Sequence, residues 1–473
     1  MVFNSLAYLV FFPIVIAIYF LTPVRFRWFV VLVGSYFFYM SWKPVYGLLL
    51  FATTLVDWSL ALWMAKYADL SRRRRILIVS IVMNLAVLFF FKYFNFISIS
   101  FWSIFGFSGA PLIVRIALPI GISFYTFQSL AYMIDVYRGD LKPERNFGRY
   151  AAFVSFFPHL VSGPILRPSN IIPQMHEEKK WDAENVRLGL FLIAAGLIKK
   201  VVIADRISFL VERVYNAPGS LSGMTLLIAT WLFAFQIYCD FAGYTDIAIG
   251  SARILGYRIP DNFHAPYFSQ TISEFWRRWH ISLSSWLRDY LYIPLGGSRN
   301  GDFNTYRNLM ITMILGGLWH GAAWTFVLWG CLHGALLVLS RLTLAVRNRF
   351  WARIAAPALL VSAWRILVTF NVVTLTWVFF RAKSIHDALL IIRAIFLHFG
   401  SLQLFVFPRG ELAFAFYAIS ALLLFDIVES RKFFSKHIPQ LSWGYQVGFV
   451  WLVIFMLISF GIRNGPEFLY FQF

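Results

Sequence analysis

Apolar residues fall in long runs along this chain, separated by short polar and basic breaks. The runs are Leu6 to Leu21, Trp28 to Tyr39, Val45 to Met64, Ile76 to Ile97, Ile116 to Met133, Leu188 to Phe209, Met224 to Tyr238, Leu309 to Leu339, Ile354 to Phe380, Leu412 to Ile427 and Val447 to Ile462. Most approach the ~20 residues with which a helix crosses a hydrocarbon core of about 30 Å. Backbone groups find no water at that depth, so helices that satisfy their own hydrogen bonds are the expected elements. The pattern predicts an all-α polytopic integral membrane protein. Val2 to Leu21 lacks the basic start and small-residue cleavage site of a signal peptide, and it is expected to remain as the first helix.

Two stretches break the pattern. Tyr150 to Val161 is too short to cross and lies among Pro158, Gly163, Pro164 and Pro168. Non-helical backbone at membrane depth survives only within protein or beside a wet cavity, so a re-entrant segment is expected there. The second break, Asp240 to Arg307, is more polar and carries Asp240, Asp246, Glu274, Arg277, Arg278, His280, Arg288 and Asp289. With no internal repeat and no low-complexity linker, residues 1–473 read as a single membrane domain.

Composition agrees: 60% of the 473 residues are hydrophobic, 19% aromatic and 14% charged, with mean hydropathy +0.69. A soluble domain carries roughly a quarter of its residues as charges. The 42 Lys+Arg against 22 Asp+Glu give a net charge of +20 and a pI near 10.0. In a soluble chain that excess would suggest nucleic acid; here no nucleic-acid partner is expected, because the basic clusters orient the spans in the lipid. Arg25 and Arg27, then Arg72 to Arg75, then Arg138, Lys142, Arg145 and Arg149 follow the first, third and fifth runs. All three fall on one face, which puts the N-terminus on the opposite, outer side. Cys239 and Cys331 are too few for a disulfide framework, and neither they nor the histidines show metal-ligand spacing, so no metal is expected.

Ionisable residues at membrane depth are costly and mark cavities or pathways. His320 lies in Gly316-Gly317-Leu318-Trp319-His320-Gly321-Ala322-Ala323, where small residues admit a second backbone or a ligand. A buried neutral imidazole suits a general base; a packed histidine bonded to a neighbouring carbonyl fits the same residues. His280 lies in Trp276-Arg277-Arg278-Trp279-His280-Ile281-Ser282-Leu283, running on to Trp286, Arg288 and Asp289. At helical spacing Trp279, Leu283 and Trp286 share a face, while Arg277, Arg278 and Arg288 offer donors to phosphate. That segment is either a site for an anionic, nucleotide-bearing donor or an interfacial amphipathic helix on lipid headgroups. Asp240 and Asp246 could orient an imidazole or a basic side chain, or tie a broken helix.

These residues also carry a resemblance. Phe275-Trp276-Arg277-Arg278-Trp279-His280, Leu287-Arg288-Asp289-Tyr290-Leu291-Tyr292-Ile293-Pro294-Leu295-Gly296-Gly297 and Gly316-Gly317-Leu318-Trp319-His320-Gly321 closely resemble the membrane-bound O-acyltransferase family, in its alginate O-acetyltransferase-like branch. The likeness extends to Met1-Val2-Phe3-Asn4-Ser5, to Leu118-Pro119-Ile120-Gly121, to Phe157-Pro158-His159-Leu160 and to Asp240-Phe241-Ala242-Gly243-Tyr244-Thr245-Asp246, with the core motifs in 118–330. The resemblance implies a ring of about eleven or more membrane helices around a central funnel with re-entrant segments. It places the essential histidine at His320, beside Trp319, and a more variable polar position at His280. It implies no bound cofactor but acetyl-CoA as cytoplasmic donor, its phosphates suited to Arg277, Arg278 or Arg288 beside Trp279. It also implies O-acetylation of an envelope polysaccharide, a periplasmic SGNH-type acetyltransferase partner, and a multi-pass place in a bacterial inner membrane with the N-terminus periplasmic.

The sequence closes on Phe468-Leu469-Tyr470-Phe471-Gln472-Phe473, similar to a terminal motif of envelope acylation systems in which a tyrosine accepts the acyl group. A phenol, with pKa of about 10, leaves more readily than an alkyl alcohol, so an acyl-tyrosine keeps much of a thioester's transfer potential. The motif also fits an aromatic anchor at the membrane interface. Two other functions compete: transfer of D-alanyl or another acyl group within the same family, and, in a different class, a transporter or flippase whose intramembrane Asp and His line a pathway.

Overall fold

A computed structural model of the chain describes all residues except Ser108, Ser162, Ala355, Arg463, Asn464, Glu467 and 470–473. The described residues form helices and connecting turns, with no strand among them. Among the described residues seven helices are long and apolar enough to cross a membrane: Val45–Met64, Leu70–Phe105, Gly223–Ile254, Trp324–Leu342, Ala358–Arg381, Glu411–Glu429 and Trp443–Phe460. Leu6–Leu21 is a shorter apolar helix with the expected ends. Large apolar side chains such as Leu21 (84% exposed) and Ile458 (74%) stand on the surface. In water such a face would be a liability; on a membrane protein it meets lipid.

Three of the corrections that the structure makes to the expected helices bear on the site. The run expected to stop at Tyr238 continues to Ile254, so Asp240 and Asp246 lie inside a helix rather than in a polar break. Its most apolar stretch is 83% buried, against 6% for Trp443–Phe460. A helix lined by protein can carry carboxylates that a lipid-facing one cannot, which is why hydropathy alone cuts it short. Second, the run Leu309 to Leu339 is two helices, Gly301–His320 and Trp324–Leu342, joined by extended backbone at Gly321–Ala323. They lie so close that a methyl group on Gly317 would strike the Phe326 carbonyl and one on Gly330 the Met313 carbonyl. Glycine here sets the helix separation. Third, the amphipathic helix expected around His280 is two short helices, Ile272–Arg278 and Ile281–Leu287, that meet at His280.

The contacts divide the chain into two compact units, Met1–Ile193 with Tyr244–Pro260, and Ala194–Gly243 with Asp261–Phe473. The first unit contains an aromatic core in which Phe157 packs against Phe11, Phe12 and Phe38. Polar staples join its helices. Tyr8 Oη lies 2.7 Å from Ser251 Oγ. The fully buried Asp57 carboxylate accepts from Ser80 Oγ at 2.7 Å and from Asn84 Nδ2 at 2.9 and 3.0 Å. The short helices Phe147–Ser155 and Phe157–Leu160, where the re-entrant segment is expected, are buried in this unit. In the second unit the core is built on Trp279, Trp329, Trp377 and Phe380.

A buried carboxylate that loses a donor bears the desolvation of the unmet oxygen, roughly 1–3 kcal/mol. Asn84→Leu is therefore expected to destabilise the protein by that order in detergent unfolding, and an unchanged midpoint would show that this network does not hold the helices.

Candidate functional site

His320 is the last residue of Gly301–His320, where the chain turns through extended Gly321, and it is 3% exposed. Its ring meets Trp319 at 5.1 Å, Trp329 at 5.2 Å and Phe380 at 5.5 Å between centroids, all steeply inclined. Trp329 in turn stacks on Trp377 at 5.5 Å, and Trp377 lies 5.1 Å from Trp279. Three fully buried indoles thus form a wall behind the imidazole.

His280 reaches the same place from a different segment. The ring centroids of His280 and His320 are 6.2 Å apart, and Trp319 lies 5.8 Å from His280. His280 sits at φ 44°, ψ 55°, a conformation that few non-glycine residues adopt and that persists only where surrounding contacts hold it. Those contacts come from the segment before it. Ile281 N–H donates to the Asn262 carbonyl at 2.9 Å and His264 N–H to that of Arg278 at 2.9 Å. The Asn262 side-chain oxygen accepts from Ser282 N–H at 3.1 Å and from Ser282 Oγ at 2.8 Å, and it lies 3.2 Å from His280 Nδ1.

That arrangement assigns the tautomer. A main-chain N–H can only donate, so the atom facing Ser282 is the amide oxygen, and Nδ1 beside it carries the proton. Nε2 is then the lone-pair nitrogen, buried and without a hydrogen-bond partner among the described residues. Asn262, which makes this assignment possible, gives no sequence signal: it is one amide in a polar stretch.

His333, which sequence reasoning passed over, makes a contrast. Its Nδ1 accepts from Trp276 Nε1 at 3.2 Å, and its Nε2 is 2.8 Å from Thr376 Oγ1. Thr376 Oγ1 in turn donates a hydrogen bond to the Val373 carbonyl at 2.7 Å. With both nitrogens met, His333 fills the role of packed histidine.

The expected donor-binding residues differ in exposure and partners. Arg277 is exposed, Arg278 pairs with Glu274 at 2.7 Å, and Arg288 with the adjacent Asp289 at 2.6 Å. The hydrogen bond to Asp289 holds the Arg288 guanidinium above its ordinary value. Trp279 is fully buried against Phe263, Phe275 and Trp377. No hydrogen bond or ion pair joins these arginines to either histidine among the described residues.

Asp240 meets a basic partner, Lys200, at 2.6 Å, and Lys200 meets Asp205 at 2.7 Å. Lys200 and Asp205 were also missed, although a lysine inside the run Leu188 to Phe209 is the signal that should have found them. Asp246 lies in the part of its helix that belongs to the first unit. Tyr470 lies outside the described residues. The residues before it are placed: Phe468 is fully buried with its ring 5.9 Å from Phe241, and Phe241 meets His280 edge-on at 4.7 Å.

The described residues thus bring two histidines together within a buried aromatic cluster of a helical membrane protein. Residues 144–382 match the model of MBOAT, the membrane-bound O-acyltransferase family. The chain belongs to this family and is a multi-pass, membrane-embedded acyltransferase. It is 41% identical over 416 residues to the probable alginate O-acetylase AlgI of Pseudomonas aeruginosa, covering 87% of this chain and 78% of the relative. It is 38% identical to that of Pseudomonas putida over the whole of both chains. To the peptidoglycan O-acetyltransferase of Helicobacter pylori it is 37% identical, over 76% of this chain and 72% of the relative.

The two kinds of buried histidine should separate on mutation. His333→Leu strands the Trp276 and Thr376 groups and is expected to lower stability by about 1–3 kcal/mol while turnover per folded molecule is retained. Turnover abolished at undiminished stability would place His333 in the reaction instead.

Proposed function

We propose that this acyltransferase moves acetyl from cytoplasmic acetyl-CoA across a bacterial inner membrane, for O-acetylation of an envelope polysaccharide such as alginate, cellulose or peptidoglycan. The observation that carries the reading is the pair His280 and His320, with ring centroids 6.2 Å apart in a buried aromatic cluster, and Phe241 linking His280 to Phe468. Relatives called alginate O-acetylase and peptidoglycan O-acetyltransferase support acetyl as the group and a polysaccharide as the acceptor.

In the first step the Tyr470 phenol oxygen attacks the thioester carbonyl as His320 takes the phenol proton. The C–O bond forms, the C–S bond breaks, and the proton on His320 passes to the departing thiolate. Acetyl-tyrosine and free CoA result, with nothing oxidised. His320 ends its helix, where the negative end of the backbone dipole favours the positive charge that it briefly carries. His280, with Nδ1 fixed by Asn262, presents Nε2 as a hydrogen-bond acceptor in the pocket. The indole wall excludes water that would hydrolyse the thioester. Arg277, Arg278 and Arg288 attract the donor's phosphates at the cytoplasmic mouth, with Trp279 behind them. A periplasmic SGNH-type acetyltransferase then carries the acetyl from Tyr470 to the polysaccharide. The N-terminus is periplasmic in this reading.

Two substitutions test it in cells. His320→Ala is expected to lower polysaccharide acetylation by about 10²- to 10⁴-fold, the usual contribution of a general base. Tyr470→Phe is expected to abolish transfer at normal expression. Undiminished acetylation in His320→Ala would refute the acyltransfer role of this residue, and full activity in Tyr470→Phe would remove the relay.

A further inference from the structure

The cluster of Lys200, Asp205 and Asp240 takes no part in the reaction described above. Lys200 Nζ lies 2.7 Å from Asp205 Oδ1 and 2.6 Å from Asp240 Oδ1, and the three side chains are 1–5% exposed. One cation against two carboxylates leaves the group short of donors. Part of the balance comes from the C-terminal arm. Leu469 N–H donates to Asp240 Oδ2 at 2.7 Å, while Lys200 Nζ donates to the Pro466 carbonyl at 3.2 Å. Gly465 presses so closely on Asp205 that a methyl group there would overlap its carboxylate.

Lys200 itself sits in a π-helical segment, Ile198–Ala204, a wide turn that is rare and found most often at functional sites. Gly243 lets the neighbouring helix approach the Lys200 backbone. Beside Pro466 and Leu469 the cluster also lines a small polar cavity with Glu212, Gln236 and Arg381. Hydrogen bonds to main-chain atoms fix the path of the arm whatever its side chains. One residue back from Leu469, the Phe468 ring lies against Phe241, and Phe241 against His280.

We propose that Lys200, Asp205 and Asp240 form a clasp on the main chain of the C-terminal arm and so set where Tyr470 is presented to the histidine pair, an inference that rests on Tyr470 being the acyl relay. Asp240 and Lys200 are positioning residues: they act through the arm and touch neither donor nor acceptor.

The test uses the full-length protein in lipid nanodiscs. Leu469→Pro deletes the N–H that Asp240 accepts and leaves the ion cluster whole; Asp240→Asn weakens the same bond from the other side; Leu469→Ala keeps the N–H and serves as control. Hydrogen exchange reads the protection of 465–469, and labelled acetyl-CoA reads acetyl transfer to the terminal peptide. The clasp predicts that Leu469→Pro and Asp240→Asn lose arm protection and that turnover falls about 10²-fold, as expected for a misplaced reactant. KM for acetyl-CoA should hold, and N-acetyltyrosine amide supplied in solution should be acetylated as by the wild type. Undiminished arm protection in Leu469→Pro overturns the clasp. So does lost protection with full transfer, or lost transfer to the soluble phenol as well, since the pocket itself would then be damaged. If Tyr470→Phe proves fully active, the relay falls, and the exchange measurement still decides whether the cluster holds the arm.

Discussion

A polar group in this protein that lies away from water is costly unless another polar group of the same chain meets it, because the surrounding hydrocarbon offers none. Asp57 is met by Ser80 and Asn84, and His333 by Trp276 and Thr376. Asp240 is met by Lys200 and the backbone of Leu469. The His280 Nε2 lone pair is one of the buried polar atoms that no hydrogen bond meets among the described residues, and Asn262 aims it. A polar group kept unmet at such cost is one that a substrate is expected to meet.

Backbone geometry builds the pocket. Glycines at 317 and 330 let two helices pack at their backbones, and the break at Gly321 ends one of them on His320. The left-handed backbone at His280 turns its ring inward, at the point where an unbroken helix would have carried the chain past. The indoles of Trp279, Trp329 and Trp377 fill the space behind. Two loosely related stretches of sequence thus converge through one close helix pair and one strained residue, and neither device leaves a periodic signature.

Much of the fold was legible in the sequence wherever lipid dictates composition. Leu6–Leu21 and Val45–Met64 were readable to the residue, because their outward faces must be apolar. Legibility failed where protein replaces lipid. The helix Gly223–Ile254 is lined by protein and so carries Asp240 and Asp246, which hydropathy reads as a loop. His320 stood out as an ionisable residue in an apolar run and His280 as one in the polar break between runs, and the family resemblance singled out the same pair. Asn262 and Lys200 act through long-range partners, separated in sequence by 18 and 40 positions from the residues they hold, and no local pattern records that.

The same economy joins the site to the arm that follows it. The Asp240 carboxylate, which needs a donor, takes one from the main chain of Leu469. The central claim is that acetyl passes from the donor to Tyr470 under the control of His320. Its most direct test is mass spectrometry of the C-terminal peptide after the purified protein is incubated with isotopically labelled acetyl-CoA. One labelled acetyl on Tyr470, absent in His320→Ala, is the expected result. An unlabelled terminal peptide from a preparation that still supports polysaccharide acetylation, or label lodged on another residue, would contradict it.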